Sequence, residues 1–492
     1  MSFLFDGSVS PGLLILVGIA LLFALGFEMV NGFHDTANAV ATVIYTHSLT
    51  PTQAVVWSGV WNFLGVLLST GAVAFGIVAL LPIELILHVG SGVGFAMIFS
   101  LLLSAIIWNV GTWYLGLPAS SSHTLIGSII GVGLANSWIN GHSFGEGLNW
   151  GKVEETIVAL VTSPIIGFVL AALLLWLAKA VIRNPALYRA PDGPKPPPPW
   201  IRGLLVLTCT GVSFAHGSND GQKGMGLIML VLIGLLPVTF ALHLDAGRDQ
   251  LGRIVEASRA AQPIFEKGAG GQKVDNAEEA DRVVAQFLTS GRHEPATMAS
   301  LAFVNGRIAE TLGGIESIRE LGPSRRSRVR RDVYVVDSGI AKLIKTGAVT
   351  GADAATLQRL RAGLLPLTDY IPLWVKLAVA LALGIGTMVG WKRIVVTLGE
   401  KVGKSHLTYA QGASAELVAA STIGLADVAG VPVSTTHILA SGIAGAMWAN
   451  RSGLQRQTMR NIILAWVLTL PAAMLLGSVL FAGSLFVVLR LT

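Results

Sequence analysis

One cysteine stands in 492 residues, Cys209, and it lies within an apolar run, so no intramolecular disulfide and no cysteine metal site can form. It reads as a small apolar packing residue. Charge is scarce as well: Asp, Glu, Lys and Arg make up 13% of the chain, about half the share of an ordinary soluble protein. In their place stand apolar residues, 52% of the total, with 57 glycines and a mean hydropathy of +0.66. This composition excludes the soluble globular class and predicts an integral helical membrane protein. The net charge of +6 and pI near 9.5 reflect basic anchoring loops on the cytoplasmic side, not nucleic-acid binding. No basic n-region or small-residue cleavage site accompanies the first apolar run near Leu13, so a removed signal peptide is not expected.

One stretch breaks the apolar pattern in an informative way. Asn31-Gly32-Phe33-His34-Asp35-Thr36-Ala37-Asn38 places charge, amide and imidazole inside the run from Leu13 to Val43. Ionisable side chains at bilayer depth are costly and face a bundle interior, a partner or a substrate path. A helix broken at the glycine would free backbone groups to line a cavity or bind an ion. The Gly-x-x-Asp motif recurs in Gly217-Ser218-Asn219-Asp220-Gly221-Gln222-Lys223, again within an apolar run, Leu204 to Leu242.

A second repeated pair makes this a duplication. Leu117-Pro118-Ala119-Ser120-Ser121-Ser122-His123 is answered by Val431-Pro432-Val433-Ser434-Thr435-Thr436-His437. Asp220 and Thr436 lie much further apart than Asp35 and Ser122, and one polar segment accounts for the surplus. The expected organisation is a first transmembrane repeat at 1–178, a basic, Pro-rich linker at 179–202, and a second repeat at 203–242 and 370–492. A polar helical insert, 243–369, interrupts the second repeat. Within it, Leu301, Val304, Ile308, Leu312 and Ile315, then Val333, Val336, Ile340 and Leu343, recur at helical spacing.

Apolar runs near 12–46, 54–80, 95–115, 156–178, 203–242, 371–390, 408–428 and 461–489 are each close to the roughly 20 residues a span needs. Prolines 118 and 432 followed by hydroxyls read as helix starts at membrane depth or as parts of helical hairpins. Basic residues gather in the linker, in Lys392, Arg393, Lys401 and Lys404, and in Arg451, Arg456 and Arg460. Placing these clusters in the cytoplasm gives each half an odd number of crossings, hence inverted-topology repeats with both termini outside. The side on which the insert lies stays open, because Arg325-Arg326-Ser327-Arg328-Val329-Arg330-Arg331 looks cytoplasmic against that parity.

The motif residues suit a tetrahedral oxyanion held with counter-cations. Asp35 and Asn38 share a helical face, as do Asp220 and Lys223. A carboxylate with an amide can coordinate a hard cation, and a carboxylate beside an ammonium forms a neutral pair. Ser120, Ser121, Ser122, Ser434, Thr435 and Thr436 add hydroxyls at fresh helix starts, whose free N–H groups favour an anion; interhelical packing is their bland alternative. Asn219 completes the expected substrate set. His123 and His437 are each open to three readings, as ligand, proton carrier or hydrogen-bonded core imidazole. Glu28 lies on about the same face as Asp35 and Glu416 is buried in an apolar run; both are candidates for coupling ions or protons. Asn62 and Trp57 read as packing.

These motifs resemble the paired signatures of the inorganic phosphate transporter (PiT) family, and the wording of 31–45 and 117–127 is similar to its bacterial low-affinity branch. The resemblance spans nearly all of both membrane halves. It implies inverted repeats, a central phosphate site built from both copies, cation-coupled symport, a homodimer and a multi-pass protein of the bacterial inner membrane. Three departures from the sodium-coupled members point to protons: His34 and Lys223 replace asparagines, and Asn62 stands where those members carry a glutamate, while Glu416 matches the acid of the second half. The bacterial branch is associated with divalent metal–phosphate complexes. The alternatives are a sodium-coupled phosphate permease, a sulfate permease and, remotely, a membrane enzyme acting on phosphate esters. The last lacks any nucleophile triad, phosphate-cradling loop or metal-ligand motif. No cofactor and no resident metal are expected.

Overall fold

The computed structural model of the chain describes residues 10–78, 80, 92–141, 148, 150–240 and 242–491. Every regular element among these residues is a helix, and the chain forms two compact units, one of Met1–Leu235 with Ile371–Thr492 and one of Leu236–Tyr370.

In the larger unit, α1 (Pro11–Tyr45), α2 (Pro51–Leu68), α3 (Ala72–Val78), α4 (Gly92–Tyr114), α5 (Ser121–Ile139) and α6 (Trp150–Val181) precede α7 (Pro199–Leu235). Local sequence sets most of these starts. Ser10 caps α1 with Pro11 at its first position, and Thr50 with Gln53 forms a capping box on α2. Among the described residues, four helices are long and apolar enough to cross a bilayer: Pro11–Tyr45, Gly92–Tyr114, Val153–Val181 and Arg456–Val488. α2 and α3, bent by 76° at a short break, together pass the same test.

The smaller unit holds α8 (Pro237–Phe240), α9 (Arg248–Ala269), α10 (Ala277–Ser290), α11 (Pro295–Gly313), α12 (Pro323–Lys345) and α13 (Gly351–Thr368). Its core contains Leu301, Val304, Ile308 and Leu312 of α11 and Val333, Val336, Ile340 and Leu343 of α12. The helical spacing of these residues is therefore the pattern of a buried face. Arg307 pairs with Asp332, and Arg361 Nε lies 2.7 Å from Asp337 Oδ1.

The chain then returns to the larger unit through α14 (Leu373–Met388), α15 (Lys392–Glu400), α16 (Tyr409–Val428), α17 (Thr435–Ala449) and α18 (Arg456–Leu491). Helices of each half pack on those of the other in matching pairs. α5 lies on α18 as α17 lies on α6, and α2 lies on α7 as α14 lies on α1. α4–α5 and α16–α17 are the two hairpins that the prolines announced, with Ser120 and Ser434 capping the second helix of each.

Correction is needed on the broken helices. α1 runs unbroken through Gly32 and α7 through Gly217. The glycines serve close approach instead: a Cβ on Gly32 would stand 2.5 Å from the Leu383 carbonyl oxygen, and one on Gly217 would stand 2.2 Å from that of Asn62. Small residues that let backbones meet are the usual adhesive of membrane helices. The backbone amides at these points stay in their helices, so the side chains carry the site.

Candidate functional site

Two carboxylates, one from each copy of the motif, meet inside the larger unit. α1 packs against α7, and an oxygen of Asp35, an oxygen of Asp220 and a ring nitrogen of His216 lie within 4.8 Å of one another, all three residues buried. His216 stands one turn before Asp220, with Nε2 3.5 Å from Asp220 Oδ2.

Asp35 accepts from both hairpins. Ser121 Oγ, at the start of α5, donates to Oδ2 at 2.8 Å, and Thr436 Oγ1, at the start of α17, donates to Oδ1 at 2.6 Å. His34 Nδ1 lies 3.0 Å from Oδ1, and its Nε2 lies 3.1 Å from Thr112 Oγ1 on α4. Ser121 Oγ also reaches Asn31 Oδ1 at 2.8 Å.

Asp220 is balanced by an ammonium. Lys223 Nζ, fully buried, lies 2.7 Å from Asp220 Oδ1, and Thr435 Oγ1 donates to Oδ2 at 3.5 Å. Lys223 also donates to Ser122 Oγ at 2.5 Å and to the Val433 carbonyl at 3.5 Å; Ser122 Oγ in turn donates to Val433 O at 2.9 Å. A side chain of the second copy thereby touches both hairpins. With Lys223 paired to Asp220, Asp35 is met among the described residues by hydroxyls and imidazole, a setting that at bilayer depth suits a cation or a cation-bearing ligand.

The remaining expected residues fall around this centre. Ser120 and Ser434 accept from the amides of His123 and His437 at 3.2 and 3.1 Å. Their oxygens therefore serve as helix caps, which qualifies their expected role as ligands. Asn219 is buried, with Nδ2 3.4 Å from the Val431 carbonyl and Oδ1 unpartnered. Glu28 is buried beside Gly224, where an added Cβ would fall 2.4 Å from Oε1. Its Oε2 accepts from Asn31 Nδ2 at 3.5 Å. The side chain of Asn38 lies outside the described residues.

His123 and His437 face each other with ring centroids 4.5 Å apart, and His437 stacks on Trp466 at 4.2 Å. One nitrogen of each imidazole, His123 Nδ1 and His437 Nε2, is buried and unpartnered. Glu416 stands apart from the carboxylate pair. It accepts from Thr42 of α1 and, at 2.5 Å, from Thr208 of α7, so a buried acid joins the two motif helices at a second level.

Several residues of this network escaped the sequence reading. Asn62 is more than packing, since its Oδ1 lies 2.8 Å from His216 Nδ1 and its amide reaches Ser58 and Thr387. Asn62 and Glu416 do not occupy matching places either: α2 directly follows the first motif helix, whereas α16 is the first helix of the second hairpin. Asp427, at the end of α16, accepts from Ser218 at 2.5 Å and from Gln222. The available signal for His216 was its i, i+4 spacing to Asp220, and for Asp427 a carboxylate within an apolar run.

Apolar helices long enough to span a bilayer, packed around a buried polar cluster, define a multi-pass membrane protein. Residues 31–477 match the phosphate transporter family (PHO4), and the chain belongs to that family. The low-affinity inorganic phosphate transporter PitA of Escherichia coli (strain K12) is 46% identical over 504 residues, 99% of each chain. PitB of the same strain is 44% identical over 488 residues, covering 96% of this chain and 97% of that one. A solved structure described as the sodium-dependent phosphate transporter shares the fold, with a TM-score of 0.50 at 18% identity over 98% of this chain and 99% of that one. These relatives are named as transporters, not enzymes.

Proposed function

We propose that the chain imports inorganic phosphate across the bacterial inner membrane by proton symport, with phosphate entering as a complex with a divalent metal ion. The observation that carries this reading is the convergence on Asp35 of Ser121 from one hairpin and Thr436 from the other, with Asp220 and Lys223 alongside. An incoming oxyanion would take over the hydroxyls now donated to Asp35 and the positive ends of α5 and α17. Lys223 supplies a fixed charge where a second cation would otherwise be needed. Protonation of Asp35 or His34 would offset the charge of the substrate.

Asp35, His216 and Asp220 offer the mixed oxygen and nitrogen donors of a borderline divalent ion, which supports a metal-bound substrate. Residues 1–178 and 203–242 with 370–492 act as inverted repeats joined by the 179–202 linker, with 243–369 as an insert, and the protein works as a homodimer. The test is uptake of radiolabelled phosphate into proteoliposomes under an imposed proton gradient, with and without divalent metal and with sulfate as competitor. Uptake driven by sodium alone, or preferred uptake of sulfate, would overturn the reading.

A further inference from the structure

A cationic cavity of about 630 Å³ opens between the end of α4 and α15. Lys392, Arg393 and Lys401 supply its charge, and Trp113, Tyr114 and Trp391 its aromatic walls. α15 is amphipathic: Ile394, Val395 and Leu398 are buried, whereas Lys392, Arg393 and Lys401 are exposed. Arg393 holds the lip, with its guanidinium 4.7 Å from the Tyr114 ring centroid and Nη1 donating to the Tyr114 carbonyl at 2.8 Å. Glu400, the acid next to Lys401, accepts from Tyr45 at 2.8 Å and does not line the cavity.

A second cavity, about 590 Å³, meets the first at Leu115, which lines both. Its walls are apolar, with Ile107 and Trp108 of α4 facing Leu464, Leu468 and Leu476 of α18. Both helices are long and apolar enough to span. Ile107, Leu464 and Leu468 are each more than two-fifths exposed, as befits a face turned to lipid. Interfacial aromatics and lysines mark headgroup depth, and basic pockets between spanning helices take anionic headgroups.

We propose that the two cavities form one binding site for an anionic phospholipid, headgroup among Lys392, Arg393 and Lys401, acyl chain along the α4–α18 groove. The cationic cavity selects the phosphodiester, and the groove that continues from it requires a ligand with a hydrocarbon tail. The site reaches the motif through its inner wall. The Trp113 ring lies 5.0 Å from that of Phe33, and Thr112, which lines the groove, meets His34. Bound lipid therefore braces the first hairpin against α1 beside the carboxylate centre.

The test uses the full-length protein purified from mixed micelles of phosphatidylglycerol and phosphatidylcholine, with retained lipid measured by native mass spectrometry. Wild type is expected to keep phosphatidylglycerol in preference to phosphatidylcholine. Combined Lys392→Gln, Arg393→Gln and Lys401→Gln should weaken that retention roughly a hundredfold, from about 1 kcal/mol for each cation. Leu468→Trp, which fills the groove without altering charge, should also weaken it. Excess inorganic phosphate should leave the retained lipid in place. Equal retention of the two lipids, undiminished phosphatidylglycerol in both variants, or its displacement by inorganic phosphate would each overturn the proposal, the last by assigning the cavity to a free anion.

Discussion

Lys223 Nζ lies 2.7 Å from Asp220 Oδ1, one turn along the same helix, and the pair is fully buried. Its counterpart position in the first copy is Asn38, so at this position an amide in one motif answers an amine in the other. Removing one partner of a buried ion pair typically costs about 3–5 kcal/mol unless an ion or proton compensates. Lys223→Asn restores the first-copy pattern and frees Asp220, Asn219 and a new amide as oxygen donors. The expected outcome is wild-type uptake indifferent to sodium, and a variant impaired in choline buffer but partly rescued by sodium. Proteoliposome uptake at fixed pH and ionic strength checks both, and sodium-driven uptake by wild type would refute the proton assignment.

Asp35→Asn and Asp220→Asn should each abolish phosphate uptake while leaving insertion intact. The amides preserve shape and can still accept from Ser121, Thr436 and Thr435, although Asp220→Asn leaves the buried Lys223 ammonium without its partner and is expected to be the less stable of the two. Thermal unfolding of the purified variants, run beside the uptake assay, separates loss of charge from loss of stability. Normal uptake by either would remove that carboxylate from the site.

How far the sequence foretold these pairings depends on distance along the chain. The duplication, the helix starts after Pro118 and Pro432, and the heptad-like faces of α11 and α12 were legible, because each rests on residues a few positions apart. Placement of Asp35 against Thr436, or of Glu416 between Thr42 and Thr208, depends on which helices pack, and periodicity is silent on that. The reading of Gly32 and Gly217 as breaks failed for a related reason. A glycine within an apolar helix serves a kink or a close neighbour equally well, and only the position of Leu383 and Asn62 decides.

The smaller unit carries its own titration. Burial pushes the Asp369 carboxyl up to about 6 although Arg330 pulls it down, and Thr368 Oγ1 donates to it at 3.0 Å. A folded-state value above the unfolded one means that the group favours folding most below the unfolded carboxylate range, near 4. That contribution is lost as pH rises through about 6. Thermal unfolding of the full-length protein should therefore show Asp369→Asn flattening the fall in stability between these limits. A variant with the wild-type slope would assign the dependence to other groups, of which Asp332, also raised by burial, is the first candidate.

Phe33–Trp113 and Ser218–Asp427 occupy corresponding places in the two halves. Phe33 and Ser218 each follow the motif glycine, and Trp113 and Asp427 each stand five residues before the hairpin proline. In the first half the contact is aromatic, with centroids 5.0 Å apart; in the second it is a carboxylate accepting from Ser218 and Gln222, two positions before and two after Asp220. Gln222 Oε1 also accepts from the Val73 amide at 2.9 Å, so Asp427 fixes α16, α7 and the start of α3 together. Asp427→Ala leaves the Ser218 hydroxyl and the Gln222 amide without their acceptor, at a cost of about 1–3 kcal/mol. Asp427→Asn retains one acceptor oxygen. The alanine variant is expected to lose roughly tenfold in phosphate uptake, as befits about 1.4 kcal/mol, and to unfold at a lower temperature, while the asparagine variant recovers part of both. Wild-type uptake and stability in Asp427→Ala would show that Asp220 needs no such support from α16.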